Sequence, residues 1–412
     1  MRRSFSRFAG DRARNTRGFT LVELMVAMVG GLFVSMTVFT LAKHSSSFAM
    51  QQSRIADTTL QTTVGFERLR NDISRAGFLS TPNVVDDPSV CRSVVYPTWL
   101  RRLASVFIEP VPLTQLSTES TINGFAPQRI VLAGSYNSGN EFAVREIKPG
   151  PPVEILLQPN RLGMVDIGYA SAPTQATLSK VFATGRILRL VDTAGRVQFG
   201  KIAGVVDGPQ PAITLNLTPP IQFRSGSGVG CGINGFGTGV VANVVNIIRY
   251  DMRNLNVPSQ PRYKPMFRGG PSYESTRREL IREEIDLDGN PIDGTLELIS
   301  EYAVDLGFSL FVSQANTALT AVTPANVPAY AGVPGTLAAG QGPQRIRAVR
   351  AWLSTRSQEA DRSAQVTYTP AVPGPQLLRM SLDPTNRNLP PFARVRTLQS
   401  TIALNNQASI PW

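Results

Sequence analysis

Seven residues near the start of the chain, Arg17-Gly18-Phe19-Thr20-Leu21-Val22-Glu23, hold the most specific chemistry in the sequence. They join an arginine-rich leader to an apolar run broken by one carboxylate. The leader, residues 1–18, has six arginines against one acid, Asp11, and no apolar stretch of its own. An ordinary secretory signal is cut after its apolar region, so the greasy segment is lost. A cut after Gly18 would instead leave that segment at the new N-terminus, with a free amine on Phe19. Glu23 then becomes the anomaly, because a carboxylate inside a membrane span costs roughly 2.5–3.5 kcal/mol and calls for a partner. Thr20 and Glu23 stand in the S/T-x-x-E relation of a capping box, which supplies one partner within the chain. The Phe19 amine of a neighbouring subunit supplies another, and the two pairings are compatible.

The remaining candidates for chemistry are weaker. Cys91 and Cys231 are the only cysteines. In an oxidising compartment they could close a long loop, worth nominally about 5 kcal/mol by chain entropy; two buried free thiols are the alternative. With one histidine, His44, a structural zinc site could not be completed without carboxylates. His44 falls at the membrane edge, so a Ser-His-Asp hydrolase triad is excluded in practice. Asp286, Asp288, Asn290 and Glu297 occupy places 1, 3, 5 and 12 of a calcium loop. However, Pro291 stands where the loop requires glycine, and an Asp-Gly-Asn hairpin turn explains the same residues. Gly230, Gly232 and Gly235 satisfy G-x-G-x-x-G, but no strand-turn-helix unit surrounds them, and a loop held by Cys231 is the expectation. Arg345 and Arg347, like Arg394 and Arg396, are two apart and would share one side of a strand. They are expected to form a solvated face, with contacts to subunit carboxylates as the next reading. No enzyme activity and no cofactor is expected.

These residues must be positioned by one long helix and a large head. Residues 24–42 are 19 consecutive uncharged residues, which at ~1.5 Å each cover almost the ~30 Å of a hydrocarbon core. With the leader arginines kept inside, everything after Lys43 lies across the membrane. Proline is absent from residues 19–81. Ile55, Thr59, Thr62, Phe66, Leu69, Ile73 and Ala76 repeat at helical intervals, predicting one helix from Phe19 to about Ala76 with Gly77 as its cap. Gly30, Gly31 and Gly65 mark places for bending or close approach. Beyond the helix the period changes to short β-like runs, at 129–133, 142–147, 212–217, 239–250, 280–287, 304–312, 345–354 and 394–404. No helix of crossover length separates them, so the sheet should be antiparallel. Residues 314–344 are rich in Ala, Pro, Thr and Gly with no charge at all and read as a long solvated loop. Composition agrees with a folded head, since 42% of residues are hydrophobic and only 17% charged. The net charge is +12; the leader contributes +5, which leaves +7. That excess is too modest to argue for nucleic acid as a partner.

The segment from Arg17 to Glu23 resembles the type IV prepilin processing site. The resemblance implies cleavage after Gly18 by prepilin peptidase, methylation of the Phe19 amine by the same enzyme, and use of Glu23 in subunit docking. A second, narrower resemblance runs from Leu69 through Arg70-Asn71-Asp72-Ile73-Ser74-Arg75-Ala76-Gly77 to Phe78, and through residues 345–357 and 392–405. These segments are similar to PilW-like minor pilins. That implies an α+β, pilin-like architecture: leader 1–18, helix 19–77 and a β-rich extracytoplasmic head 78–412. It also implies a low-abundance subunit that helps prime a pilus and sits at its tip. Its partners would be the inner membrane, other minor pilins, the major pilin and a large tip adhesin. A type II secretion pseudopilin shares the same N-terminus and is the alternative; a DNA- or host-receptor-binding minor pilin is another.

Overall fold

A computed structural model describes residues 19–91, 100, 103–111, 116–216, 221–222, 231–234, 237–267, 274, 277–313, 318–332, 340–360, 379–383, 385 and 391–408. The long apolar run forms helix α1, Leu21–Ser74. The chain divides into two compact units at Ala56/Asp57. The first contains the apolar part of α1, whose large side chains from Leu21 to Phe48 are exposed. Leu21–Met50 is the one candidate membrane span among the described residues.

The second unit begins with the last turns of α1. Thr62, Phe66, Leu69, Ile73 and Ala76 are buried, as their helical spacing predicts. The expected stripe thus begins to be buried at Thr62, since Thr59 is exposed. Gly65 lies against strand β10 (Glu297–Ser300), and a Cβ there would stand 3.1 Å from the Ile299 carbonyl. Gly77 takes φ +78° just beyond the helix, a conformation suited to glycine. Its N–H bonds to the Ala133 carbonyl at 2.8 Å.

The head is antiparallel β structure throughout its described strand pairs. Around β8 (Val241–Arg253), the strands β1 (Val106–Pro110), β2 (Gln128–Gly134), β9 (Glu279–Ile285) and β10 form a sheet ordered β1-β2-β8-β9-β10. Its inner face carries Val106, Ile108, Ile130, Leu132, Ile248, Tyr250, Met252 and Leu280 into a core shared with α1. A second sheet has the order β12-β11-β13-β15-β14, with β11 Ala303–Val312, β12 Thr320–Ala321, β13 Ile346–Arg356, β14 Arg379–Ser381 and β15 Phe392–Ala403. Leu306, Phe308, Leu310, Val349 and Leu353 bring it into the same core.

The first half of β8 belongs to a further set of strands. These are β3 (Phe142–Lys148), β4 (Val153–Leu157), β5 (Ile187–Val191), β6 (Val197–Val206) and β7 (Ala212–Leu215). Pairing runs β8-β3-β4-β7-β6-β5 and back to β8, a closed antiparallel ring. Each segment expected as a strand is one, with ends displaced by up to three residues. The prediction missed β1, β4, β5, β6, β10, β12 and β14.

One expectation is corrected. Part of the stretch 314–344 is not a solvated loop: Thr320–Ala321 extends the second sheet, and Val327–Ala331 forms a short helix. Val327, Tyr330 and Ala331 enter the main core. Their i, i+3, i+4 spacing gives the helix one apolar face, and Pro328 suits its first turn.

A buried ion pair fastens the helix to the head. Asp72 on α1 accepts from Arg282 Nε at 2.7 Å and from the Tyr250 hydroxyl at 2.8 Å, while the Tyr136 hydroxyl donates to the Asp72 carbonyl at 3.0 Å. Both ionic partners are almost wholly buried. Removing one partner of such a pair leaves the other charge uncompensated, which costs about 3–5 kcal/mol. Asp72→Ala should therefore destabilise the head by about that amount, and Leu69→Ala by about 2–5 kcal/mol. Denaturant unfolding of the detergent-solubilised protein measures both; an Asp72→Ala loss below about 1 kcal/mol would contradict the role of the pair.

Candidate functional site

The start of α1 is built as a reciprocal cap. The Glu23 N–H donates to Thr20 Oγ1 at 3.2 Å, while Glu23 Oε2 accepts the Thr20 N–H and hydroxyl, both at 2.9 Å. The capping-box pairing is thus present within one chain and fixes the side chain of Glu23 along the first turn. Both contacts fall on Oε2, which leaves the lone pairs of Oε1 for another donor. Phe19 is 84% exposed immediately before the cap. Gly18 and the leader lie outside the described residues.

This arrangement combines three properties: an exposed aromatic residue after a glycine, a fixed carboxylate one turn on, and a helix surface of exposed apolar side chains. Chemically it can present a new amine and a carboxylate acceptor at the end of an apolar rod.

The other expected site residues are distributed through the head. Cys91 and Cys231 are joined, with Cα atoms 5.0 Å apart. His44 lies in the exposed part of α1. In the Asp286 loop, the ammonium of Lys201 sits 3.2 Å from Asp286 and 3.0 Å from Asp288. Asp286 Oδ1 also accepts the N–H groups of Asp288 and Asn290, both at 2.9 Å. Partial burial alone would raise the Asp286 pKa, but these donors outweigh it and hold the carboxyl below its usual range. Glu297 takes no part there, since it lies on β10 facing Arg282 at 3.5 Å and Arg68 at 3.6 Å. Among the described residues no group of three or more His, Cys, Asp or Glu is placed to hold a metal. Much of the glycine run, including Gly230 and Gly235, lies outside the described residues; Gly237 and Gly239 form the turn into β8.

The paired-arginine expectation needs one correction. Arg345 closes a 3-10 turn, Pro343–Arg345, ahead of β13, so it does not share a strand face with Arg347. Pro343 initiates that turn, and Arg347 folds back to donate to the Gln344 carbonyl at 2.6 Å. Arg394 and Arg396 do lie two apart on β15.

Sequence reasoning missed the arginines that organise the head. Arg186 grips Glu284 at 2.8 and 3.0 Å, and Asn137 and Asn246 add amide donors at 2.9 and 3.0 Å. Burial pushes the Glu284 pKa up, but these donors hold it below the usual value. Arg277 and Arg356 flank the ring of Tyr302 at 4.2 and 4.8 Å. Arg277 pairs with Glu279, and Arg356 with Glu119, both at 2.5 Å. The partners in Arg186–Glu284 and Arg356–Glu119 lie far apart in sequence, so no local spacing marks them; Arg277 and Glu279 are two apart, a spacing that by itself reads as a solvated strand face.

Comparisons with known proteins give one specific match. The family profile described as the prokaryotic N-terminal methylation motif matches residues 13–29. The chain carries a prepilin-type methylation motif. It covers the capped helix start and the residues before it. A solved type IV-like pilin from Thermus thermophilus is 11% identical, covering 60% of this chain and 100% of its own, with a TM-score of 0.17, and no argument rests on it. A comparison with curated proteins gives no match. The architecture is a long N-terminal helix, apolar in its first part, followed by a large antiparallel β domain.

Two predictions follow from the head. Because Lys201 already neutralises the Asp286 loop, millimolar calcium should give neither titration heat nor a melting shift; a shift of several degrees would contradict this assignment. Asp305 is half-buried and accepts the Trp352 indole N–H at 2.8 Å. Burial lifts its carboxyl to about 6, against the lowering effect of that bond. Folding therefore favours the protonated form, and this stability is lost as pH rises from the ordinary value of 3.8 through about 6. Asp305→Asn should melt close to wild type at about pH 4 and a few degrees higher at about pH 7, while an unchanged difference across that range would contradict the assignment.

Proposed function

We propose that this chain is a minor pilin of a type IV pilus, of the PilW-like kind. It is cut after Gly18 by prepilin peptidase, methylated on the Phe19 amine, and docked into a growing filament through Glu23. The observation that carries this reading is the methylation motif covering the start of a capped, exposed apolar helix. The Thr20 cap orients Glu23 while leaving Oε1 open to the Phe19 amine of a neighbouring subunit. Such a charge pair removes the cost of a lone carboxylate in an apolar assembly.

The work is structural, not enzymatic. Before assembly the protein is a single-pass inner-membrane protein with a periplasmic head; afterwards it belongs to the extracellular pilus. Its size supports a place at the tip, in a complex with other minor pilins and a large tip adhesin, where it helps prime assembly above the major pilin. A head containing two sheets and a closed ring of strands would crowd a helical shaft.

Glu23→Ala should leave cleavage after Gly18 intact and reduce incorporation into sheared pili at least tenfold, since a charge-pair loss of about 1.4 kcal/mol already gives that factor. Gly18→Glu should block cleavage. Immunoblots of membranes and sheared pili check both, and normal incorporation of the Glu23→Ala protein would contradict the docking role.

A further inference from the structure

The connection between β2 and β8 has a simple geometry. Gly134 at the end of β2 pairs with Asn246 on β8, so these two strands are neighbours in one antiparallel ladder. Neighbouring antiparallel strands need only a two-residue turn. Here the connection is residues 135–245, and it contains β3 to β7 and the first part of β8.

That connection closes on itself. Leu188, Leu190, Ala242 and Val244 point into the ring with Phe142, Val144, Ile155, Ile202, Ile213 and Leu215. Phe182 plugs it and meets the Phe142 ring edge-on at 4.8 Å. This core is separate from the one that receives α1. One face of β8 serves both cores: Ala242 and Val244 enter the ring, whereas Ile248, Tyr250 and Met252 enter the helix-binding core. Asn246 stands between these sets. Its Oδ1 accepts the N–H of Tyr136 at 3.1 Å and of Asn137 at 3.3 Å, where the chain leaves β2. A polar side chain at this position satisfies backbone donors released when the ladder splits.

We infer that β3 to β7 with the first part of β8 form an inserted β-barrel module with its own cooperative stability, and that Cys91–Cys231 is the covalent strap that keeps it closed onto the rest of the head. The outer face of the barrel supports this. Ile187, Val197 and Phe199 pack against Phe107, Val131 and Ile247 of the sheet. The segment holding Cys91 lies along β6, with the Cys91 N–H bonded to the Val197 carbonyl and the Val197 N–H to Ser89. Arg186 and Glu284 add a buried ion pair across the same joint. Among the described residues, none of the side chains in the core that receives the buried stripe of α1 comes from β3 to β7; Tyr136, where the chain leaves β2, is the part of the connection that joins it.

Native-state hydrogen exchange of the intact, detergent-solubilised protein tests this without assuming any role in a pilus. Amides of β3 to β7 should exchange as one class with a shared opening, distinct from those of α1 after Thr62, β2, β9, β11 and β13. Reducing Cys91–Cys231 should accelerate the barrel class at least roughly tenfold and change the other class by less than about twofold. A single class throughout, an equal acceleration of both, or no selective response to reduction would overturn the inference.

Discussion

One helix has to satisfy two solvents, and the rest of the structure answers to that constraint. From Leu21 to Met50 α1 is apolar with its side chains exposed, the composition of a segment stable in hydrocarbon. From Thr62 onward a single stripe is apolar and buried, while Glu67, Arg68, Arg70 and Asn71 are exposed. No helix of this composition is stable in water alone, so the head must supply a receiving surface for the stripe. Two sheets do so, and the Asp72–Arg282 pair adds directional specificity that hydrophobic burial lacks.

The same constraint explains the start of the helix. A carboxylate in an apolar run is a liability unless its charge is answered. Thr20 orients Glu23 and satisfies part of its hydrogen-bonding capacity, but a hydroxyl and an amide do not neutralise a charge. On the proposed function, the cap within the chain and a pairing between chains are successive parts of one arrangement, the first reducing the ordering entropy of the second.

Much of this was legible in the sequence because it is local. The leader, the capping box, the apolar run and the helical stripe each rest on spacings of a few residues. The strands at residues 129–133, 280–287 and 304–312 were legible for the same reason, being short β-like runs bounded by turn residues. The barrel was not, since closure depends on β5 meeting β8 some fifty residues later, and short strands such as Val153–Leu157 look like any apolar run. Asp72, Arg282 and Glu284 were missed because a charged residue reads as exposed until its partner is known. Residues 314–344 misled for the opposite reason. Their Ala, Pro and Gly content suggested solvent, whereas Val327, Tyr330 and Ala331 are enough to anchor one buried turn.

The most direct test of the account is mass spectrometry of the N-terminal peptide in sheared surface pili and in membranes. The account predicts a peptide beginning at Phe19, methylated on its amine and present in pili at low stoichiometry beside the major subunit. A chain still beginning at Met1 would contradict the processing reading, and a processed peptide confined to membranes would contradict the place in the filament.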